Sequence, residues 1–290
     1  MLQPPPRPLR SVLYMPGANA KALEKAKSLP ADALILDLED AVAPEAKEAA
    51  RAAVAEAVAA RGYGRREVIV RVNALGTPWG AGDVAAIAPA GPDALLFPKV
   101  EGAEDIRRAE AALGPEVARF YVMIETPKAI LALREIAEAA AETRLCGFVM
   151  GTNDLAKELR VKATPDRLAF LAALSLTVTA ARAFGLAAID GVCNDLQNQA
   201  GFAAECRQGQ SLGFDGKTLI HPAQIEAANA IFAPSAEEVA QARAIIAAFA
   251  APENAGKGVL KVEGRMTELL HLQEAKRVVA VAKAIAELEG

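Results

Sequence analysis

Histidine is nearly missing from this chain: His221 and His271 are the two in 290 residues. Cysteine is equally sparse, and Cys146, Cys193 and Cys206 have neither metal-site spacing nor an even count. Zinc and the two-histidine iron sites therefore lack ligands, and reduced thiols in a cytoplasmic protein are the expectation. Aromatic residues make up only 4%, too few for an aromatic-rich β-sandwich. With alanine leading the apolar count, helices around a Val/Ile/Leu sheet fit better. No run approaches 18 apolar residues, which excludes a membrane-spanning helix. Residues 1–10 carry no apolar stretch of the secretory kind. A basic tail or stripe is also absent: 32 basic and 36 acidic residues are interleaved for a net charge of −4. Nucleic acid and membrane are thus not the expected partners.

What the chain does have is a recurring β-type run between helical stretches. Strands are expected at 11–15, 34–38, 68–72, 94–98, 120–124, 147–150, 187–190 and 217–220, mostly short apolar runs. Such runs suit parallel strands buried on both faces. Alanine-rich helical patterns lie at 45–60, 103–113, 128–141 and 167–184. In the first, Ala46, Ala49, Ala50, Ala53, Val54, Ala57 and Val58 keep one stripe, with Pro44 where a first-turn proline is tolerated. Strands alternating with helices over ~250 residues predict an α/β (β/α)8 TIM barrel. A doubly wound open sheet is the alternative, although the turn Pro16-Gly17-Ala18-Asn19 is too poor in glycine for a dinucleotide fingerprint.

The expected division is a barrel over 1–233 and a C-terminal helical extension over 234–290. In the extension a helix near 235–250 leads to a glycine-rich turn at 253–258, a β-like piece at 259–262 and a helix near 268–288. That is too little for an independent domain, so it reads as a lid or appendage at a subunit interface.

Polar residues gather where the strands end. These are Asp37, Glu39 and Asp40, Arg71 and Asn73, Lys99 and Glu101, Glu125 and Thr126, Thr152 to Asp154, Asp190, and His221. In a barrel these positions converge on the mouth that carries active sites. The abundance of carboxylates points to an oxygen-seeking ion such as Mg²⁺, with Mn²⁺ as the alternative. Glu125 and Asp154, on adjacent strand ends, suit it. His221, followed by Pro222, reads as a structural residue of its loop, with a general base as the alternative, and His271 as a helix-surface or interface residue.

Six ordered segments carry a resemblance. They are Arg10–Asn19, Leu36–Val42, Arg71-Val72-Asn73, Met123-Ile124-Glu125-Thr126, Gly151-Thr152-Asn153-Asp154-Leu155 and Gly216–Gln224. Together they resemble the citrate lyase β-subunit-like CoA-ester lyases of the HpcH/HpaI aldolase/citrate lyase superfamily, and most of all its malyl-CoA thioesterase and malyl-CoA lyase branch. The resemblance implies metal ligation by Glu125 and Asp154, and Arg71 on the acyl or enolate oxygen. It also implies Tyr14, Asn19 and Lys25 on the CoA side and Asn153 in substrate binding. Asp37, Glu39 and Asp40 would order water, Arg71 and Lys99. Where relatives that handle acetyl-CoA carry Gly-x-Met-x-Asp, this chain reads Gly264-Arg265-Met266-Thr267-Glu268, so Glu268 stands in the place of a catalytic aspartate.

The implied reaction is Mg²⁺-dependent cleavage of a malyl-, methylmalyl- or citramalyl-CoA thioester to an acyl-CoA and a 2-oxoacid, with CoA entering as part of the substrate. Hydrolysis of (3S)-malyl-CoA to malate and CoA is the alternative. The extra methylene of Glu268 favours it, because a misplacement of about an ångström can cost ~100-fold in rate. A citrate lyase β subunit acting on carrier-bound citryl is the second alternative. Pyruvate-type class II aldolases share the barrel but are expected to use an early histidine, and none precedes His221. The resemblance further implies a homotrimer or homohexamer.

Overall fold

The structure is a computed structural model that describes residues 7–290; the reading of residues 1–6 lies outside the described residues. The chain divides into a compact unit Leu9–Ala230 and a second one containing Ile231–Gly290.

In the first unit the apolar runs become eight parallel strands. They are β1 Ser11–Pro16, β2 Ala33–Asp37, β3 Glu67–Arg71, β4 Ala94–Phe97, β5 Phe120–Ile124, β6 Leu145–Met150, β7 Ala187–Asp190 and β8 Gly216–Leu219. Ser11 pairs with Lys217 and Val12 with Thr218, so β8 returns to β1 and the sheet closes into a barrel. That closure decides against the open sheet.

Strand periodicity explains the layers. Alternate residues face the barrel axis, so Val12, Ala33, Ile35, Ile69, Ala94, Leu96, Tyr121, Met123, Val149 and Ile189 pack into one apolar core. Truncating one of these, such as Ile69→Ala, costs about 2–5 kcal/mol by the usual cavity cost. The other set of side chains faces the helices, which is why β2 is buried at every position. At the N-terminal end buried charges are paired. Arg10 grips Asp32 at 2.9 and 2.8 Å, and Glu67 takes the Arg119 guanidinium at 3.1 Å. That face reads as stability rather than chemistry.

Two helices depart from expectation. The 128–141 pattern splits at Ala132 into Pro127–Leu131 and Leu133–Glu138. The 167–184 pattern yields helix Leu171–Ala183 after a short 3₁₀ turn at Leu168–Phe170, preceded by Arg167 at φ 53°. Periodicity carries across both breaks, so only backbone geometry reveals them.

The second unit holds helix Ala236–Ala250, opened by a Ser235/Glu238 capping box, and helix Leu269–Glu289, and the two pack together. Between them β9 (Val259–Val262) pairs antiparallel with β10 (Arg265–Glu268). The second strand was not expected. Its turn is Glu263-Gly264, with φ 48° and 84°, the left-handed pair of a tight hairpin. Glu-Gly is a weaker turn signal than Asn-Gly, which hid it. Among the described residues no helix is long and apolar enough to cross a membrane.

Candidate active site

Continuing the inward parity one step beyond the core places Tyr14, Asp37, Arg71 and Glu125 at the C-terminal mouth. The same step falls on Gly151 and Gly191 after β6 and β7, where the absence of a side chain makes room for Glu125 and for Thr152. A cavity of about 350 Å³ forms there. Tyr14, Asp37, Asp40, Arg71, Glu125, Asn153 and Asp154 line it on the polar side, and Met123, Met150, Val192 and Ile220 on the apolar side. Convergent polar groups beside an apolar wall are the usual make-up of a small-molecule site.

Arg71 is held by Asp37 in a bidentate fork, Nε to Oδ1 and Nη2 to Oδ2, each 2.7 Å. Burial opposes its charge, but Tyr14, Asp37 and Glu39 outweigh burial and keep the guanidinium protonated. The Tyr14 ring lies 5.0 Å from Arg71 Cζ, and burial raises its phenol above the ordinary range. The remaining Arg71 nitrogen, Nη1, lies 2.9 Å from Glu39 Oε2 and 3.5 Å from Asp40 Oδ2. Among the described residues Glu39 Oε2 accepts no hydrogen bond, so the first contact counts as an ion pair alone. Burial, against the pull of Arg71, pushes Glu39 up to about 8.

The loop that carries these acids is fastened from behind. Lys47 Nζ donates to the carbonyls of Leu38 and Glu39, both at 2.9 Å, and Asn73 Nδ2 donates to Leu38 at 2.9 Å. Asn73 is in turn set by Asp83, at 2.6 Å. Asn73 thus supports the site without lining it.

On the opposite wall Glu125 is wholly buried and Asp154 sits in the first turn of helix Thr152–Leu159. The Lys99 backbone N–H donates to Glu125 Oε1 at 2.7 Å. The Lys99 ammonium lies 3.4 Å from the same oxygen and hydrogen-bonds Asp154 Oδ2. Burial pushes Glu125 up to about 6, against the neighbouring Lys99. Burial also raises Asp154, but the Lys99 hydrogen bond outweighs it and holds the carboxyl below the usual range. Among the described residues Glu125 Oε2 has no hydrogen-bond partner. Gly151 leaves that oxygen its place, since a Cβ there would stand 2.5 Å from it and 2.4 Å from Glu125 Cβ.

A buried carboxylate oxygen without a donor, beside a second carboxylate, fits an oxygen-seeking divalent ion. Among the described residues no three His, Cys, Asp or Glu converge on a metal position. Magnesium takes one or two protein carboxylates and fills its remaining positions with water and substrate oxygens, so the pair Glu125 and Asp154 is a chemically suitable donor set for it.

Residues 10–222 match the HpcH/HpaI aldolase/citrate lyase family. The chain belongs to that family. Over 96% of its length, and 96% of the relative's, it is 51% identical to a (3S)-malyl-CoA thioesterase of Cereibacter sphaeroides. It is 38% identical to the citrate lyase β subunit of Escherichia coli K12, over 96% of this chain and 94% of that one. Among solved structures, CitE of Mycobacterium tuberculosis in complex with magnesium, acetoacetate and coenzyme A matches with TM-score 0.75. That pair shares 30% identity over 94% of this chain and 97% of the other. These HpcH/HpaI relatives are enzymes, and the barrel and its mouth are those of an enzyme family.

Not every expected site residue of this HpcH/HpaI member reaches the cavity. Asn153 does, and its amide is tied to Asn194 through hydrogen bonds of 2.7 and 3.4 Å. Lys25 lies exposed in the last turn of helix Ala20–Ala26 and is not among the lining residues; Asn19 spends its side chain capping that helix at Ala22. Asp190, counted at the rim, points away from it, because inward-facing Ile189 puts Asp190 outward. There it accepts Arg167 Nη1 at 2.8 Å and Lys217 Nζ at 3.1 Å in a buried ion network with Glu205. His221 accepts the Ala223 N–H on Nδ1 at 3.1 Å and caps its loop. Glu268 belongs to the second unit, where it is exposed and N-caps helix Leu269–Glu289.

Lys99 is the residue that sequence reasoning undervalued. Its φ of 54° is left-handed, a conformation rare for lysine that no motif in the sequence signals.

Proposed function

We propose that the protein is a Mg²⁺-dependent thioesterase acting on (3S)-malyl-CoA or a closely related CoA thioester. The observation that carries this is one cavity lined both by a carboxylate pair and by a fixed cation. The orphaned Glu125 oxygen beside Asp154 suits a cation, and a charged, immobilised Arg71 faces the same space. The 51% identity to a (3S)-malyl-CoA thioesterase, against 38% to a citrate lyase β subunit, favours hydrolysis over carbon–carbon cleavage.

In this reading Glu125 and Asp154 hold magnesium. When bound, the ion supplies a chelating charge for the hydroxyl and carboxylate of the malyl end. Arg71, locked by Asp37, offers Nη1 to the thioester oxygen and stabilises negative charge that develops there when water attacks the carbonyl carbon. The carbon–sulfur bond then breaks, the sulfur takes up a proton in place of the one lost by the attacking water, and malate and CoA leave. The fixed Asp37–Arg71 fork means that this cation need not reorganise during the reaction. Met123, Met150, Val192 and Ile220 limit the water around the acyl chain. Tyr14 and Asn153 orient the substrate, and the proposal extends to Lys25 on the CoA side and Glu268 as the carboxylate serving the thioester end. It also includes cytoplasmic action and a homotrimer or homohexamer, supported by the family resemblance.

The second reading is a lyase on the same substrate class. It is favoured by Arg71, whose charge suits the enolate oxygen of an acyl-CoA as well as a tetrahedral oxyanion. Incubation with (3S)-malyl-CoA and Mg²⁺ separates the two. Malate plus CoA supports hydrolysis, and glyoxylate plus acetyl-CoA supports the lyase. No turnover of any malyl or citramalyl thioester sinks both.

A further inference from the structure

Lys99 has no task in the chemistry above, yet the fold holds it with care. Its backbone adopts φ 54°, a conformation that costs a non-glycine residue about 1 kcal/mol or more. That conformation aims its N–H at Glu125 Oε1, 2.7 Å away, while its ammonium lies against both Glu125 and Asp154. The side chain is 37% exposed, so its stem has a path to solvent. Glu125 is 0% exposed and cannot draw on water for its countercharge.

We propose that the Lys99 ammonium is an internal counter-ion at the cation position between Glu125 and Asp154. It gives way to the divalent ion on binding, so Lys99 sets the metal affinity of the site. The inference rests on the reading of those two carboxylates as metal ligands. Two carboxylates drawn together around a buried oxygen repel one another unless a cation lies close. An ammonium supplies that charge without metal. A divalent ion brought into the same place repels the ammonium, which must break its ion pairs and turn outward before the carboxylates are free. Metal binding is thereby an exchange of cations, weaker and more readily reversed than binding to a bare pair. The backbone hydrogen bond from Lys99 to Glu125 does not depend on the side chain, so the carboxylate keeps its orientation when the ammonium leaves. Lys99 is a positioning residue, acting through the two carboxylates.

Titration calorimetry of Mg²⁺ into metal-stripped protein tests this, together with thermal unfolding in chelator and in excess Mg²⁺. Lys99→Met removes the competing charge and keeps the backbone donor, so it should bind Mg²⁺ about tenfold or more tightly than wild type. It should also melt below wild type in chelator and gain more on adding Mg²⁺. Lys99→Arg keeps the charge and should bind close to wild type. Equal or weaker binding by Lys99→Met overturns the role of Lys99 alone. Failure of all three proteins to bind Mg²⁺ overturns the metal reading and this inference with it. If Lys99→Met does not fold, wild-type acylation by an amine reagent, mapped by mass spectrometry, takes its place. Mg²⁺ should speed labelling of Lys99 several-fold and leave Lys283, 76% exposed, unchanged; unchanged or slower labelling of Lys99 overturns the inference.

Discussion

Asp37 grips Arg71 through two parallel hydrogen bonds of 2.7 Å, and both residues sit one inward step above the apolar core of the barrel. The pair is therefore part of the scaffold as much as of the mouth. Its partners are consistent with that. Asp37 also accepts the Glu39 N–H at 2.9 Å and the Ala41 N–H at 3.2 Å, tying the loop to the guanidinium.

Arg71→Lys cannot reproduce a planar fork, and its ammonium would sit nearer Asp37 than the thioester oxygen. The expected result is a fall in kcat of about 10²–10³, the usual loss for one donor to a developing oxyanion. KM should change much less. Steady-state kinetics on malyl-CoA check this; a rise in KM at constant kcat would assign Arg71 to ground-state binding only.

Gly151→Ala tests the space around Glu125. The new Cβ would meet Glu125 Cβ at 2.4 Å, so the carboxylate or the strand end must shift. We expect a stability loss of about 1–3 kcal/mol by overpacking and a clear loss of Mg²⁺ affinity. Urea unfolding and calorimetry read the two effects separately. Unaltered Mg²⁺ binding would contradict the placement of the metal at Glu125.

Glu39 gives a pH dependence with a definite sign. Its folded-state value, about 8, lies above the ordinary 4.5, so folding favours the protonated form. Its contribution is fully present below about pH 4.5 and is lost as pH rises through about 8. Glu39→Gln cannot ionise and escapes that loss. Relative to wild type it should gain stability with rising pH across this window, by at most about 1.4 kcal/mol per pH unit, and the gain should level off above it. Urea unfolding at pH 5.5, 7 and 9 measures the gap, and a gap that stays constant with pH would show that Glu39 is ionised throughout.

Glu268→Gln should cut turnover by about 10²-fold, the lower range for loss of an acid–base group. Glu268→Asp should shift the products toward glyoxylate and acetyl-CoA. Product analysis by chromatography reads both; two variants indistinguishable from wild type would rule out the proposed role of Glu268.

Much of this was legible in the sequence for a physical reason. Parallel strands covered on both faces must be apolar throughout, and such runs stand out among alanine-rich helices. Period-two alternation then puts Tyr14, Asp37, Arg71 and Glu125 inside the mouth. The same parity, applied strictly, would have turned Asp190 outward; counting it as a polar strand end missed the side it faces. Lys99 was beyond reach, because its position depends on a left-handed backbone after β4 rather than on strand alternation. The β10 strand was hidden by an uncommon turn pair, Glu263-Gly264. Lys25 shows what a motif leaves open: its side chain is exposed in the last turn of helix Ala20–Ala26 and is not among the residues that line the cavity.

A crystal structure of the protein with Mg²⁺ and a non-hydrolysable malyl-CoA analogue tests the central claim most directly. The account predicts one Mg²⁺ ligated by Glu125 and Asp154, the malyl hydroxyl and carboxylate on the ion, and the thioester oxygen within hydrogen-bond reach of Arg71. Magnesium ligated elsewhere, or a thioester carbonyl turned away from Arg71, would contradict it.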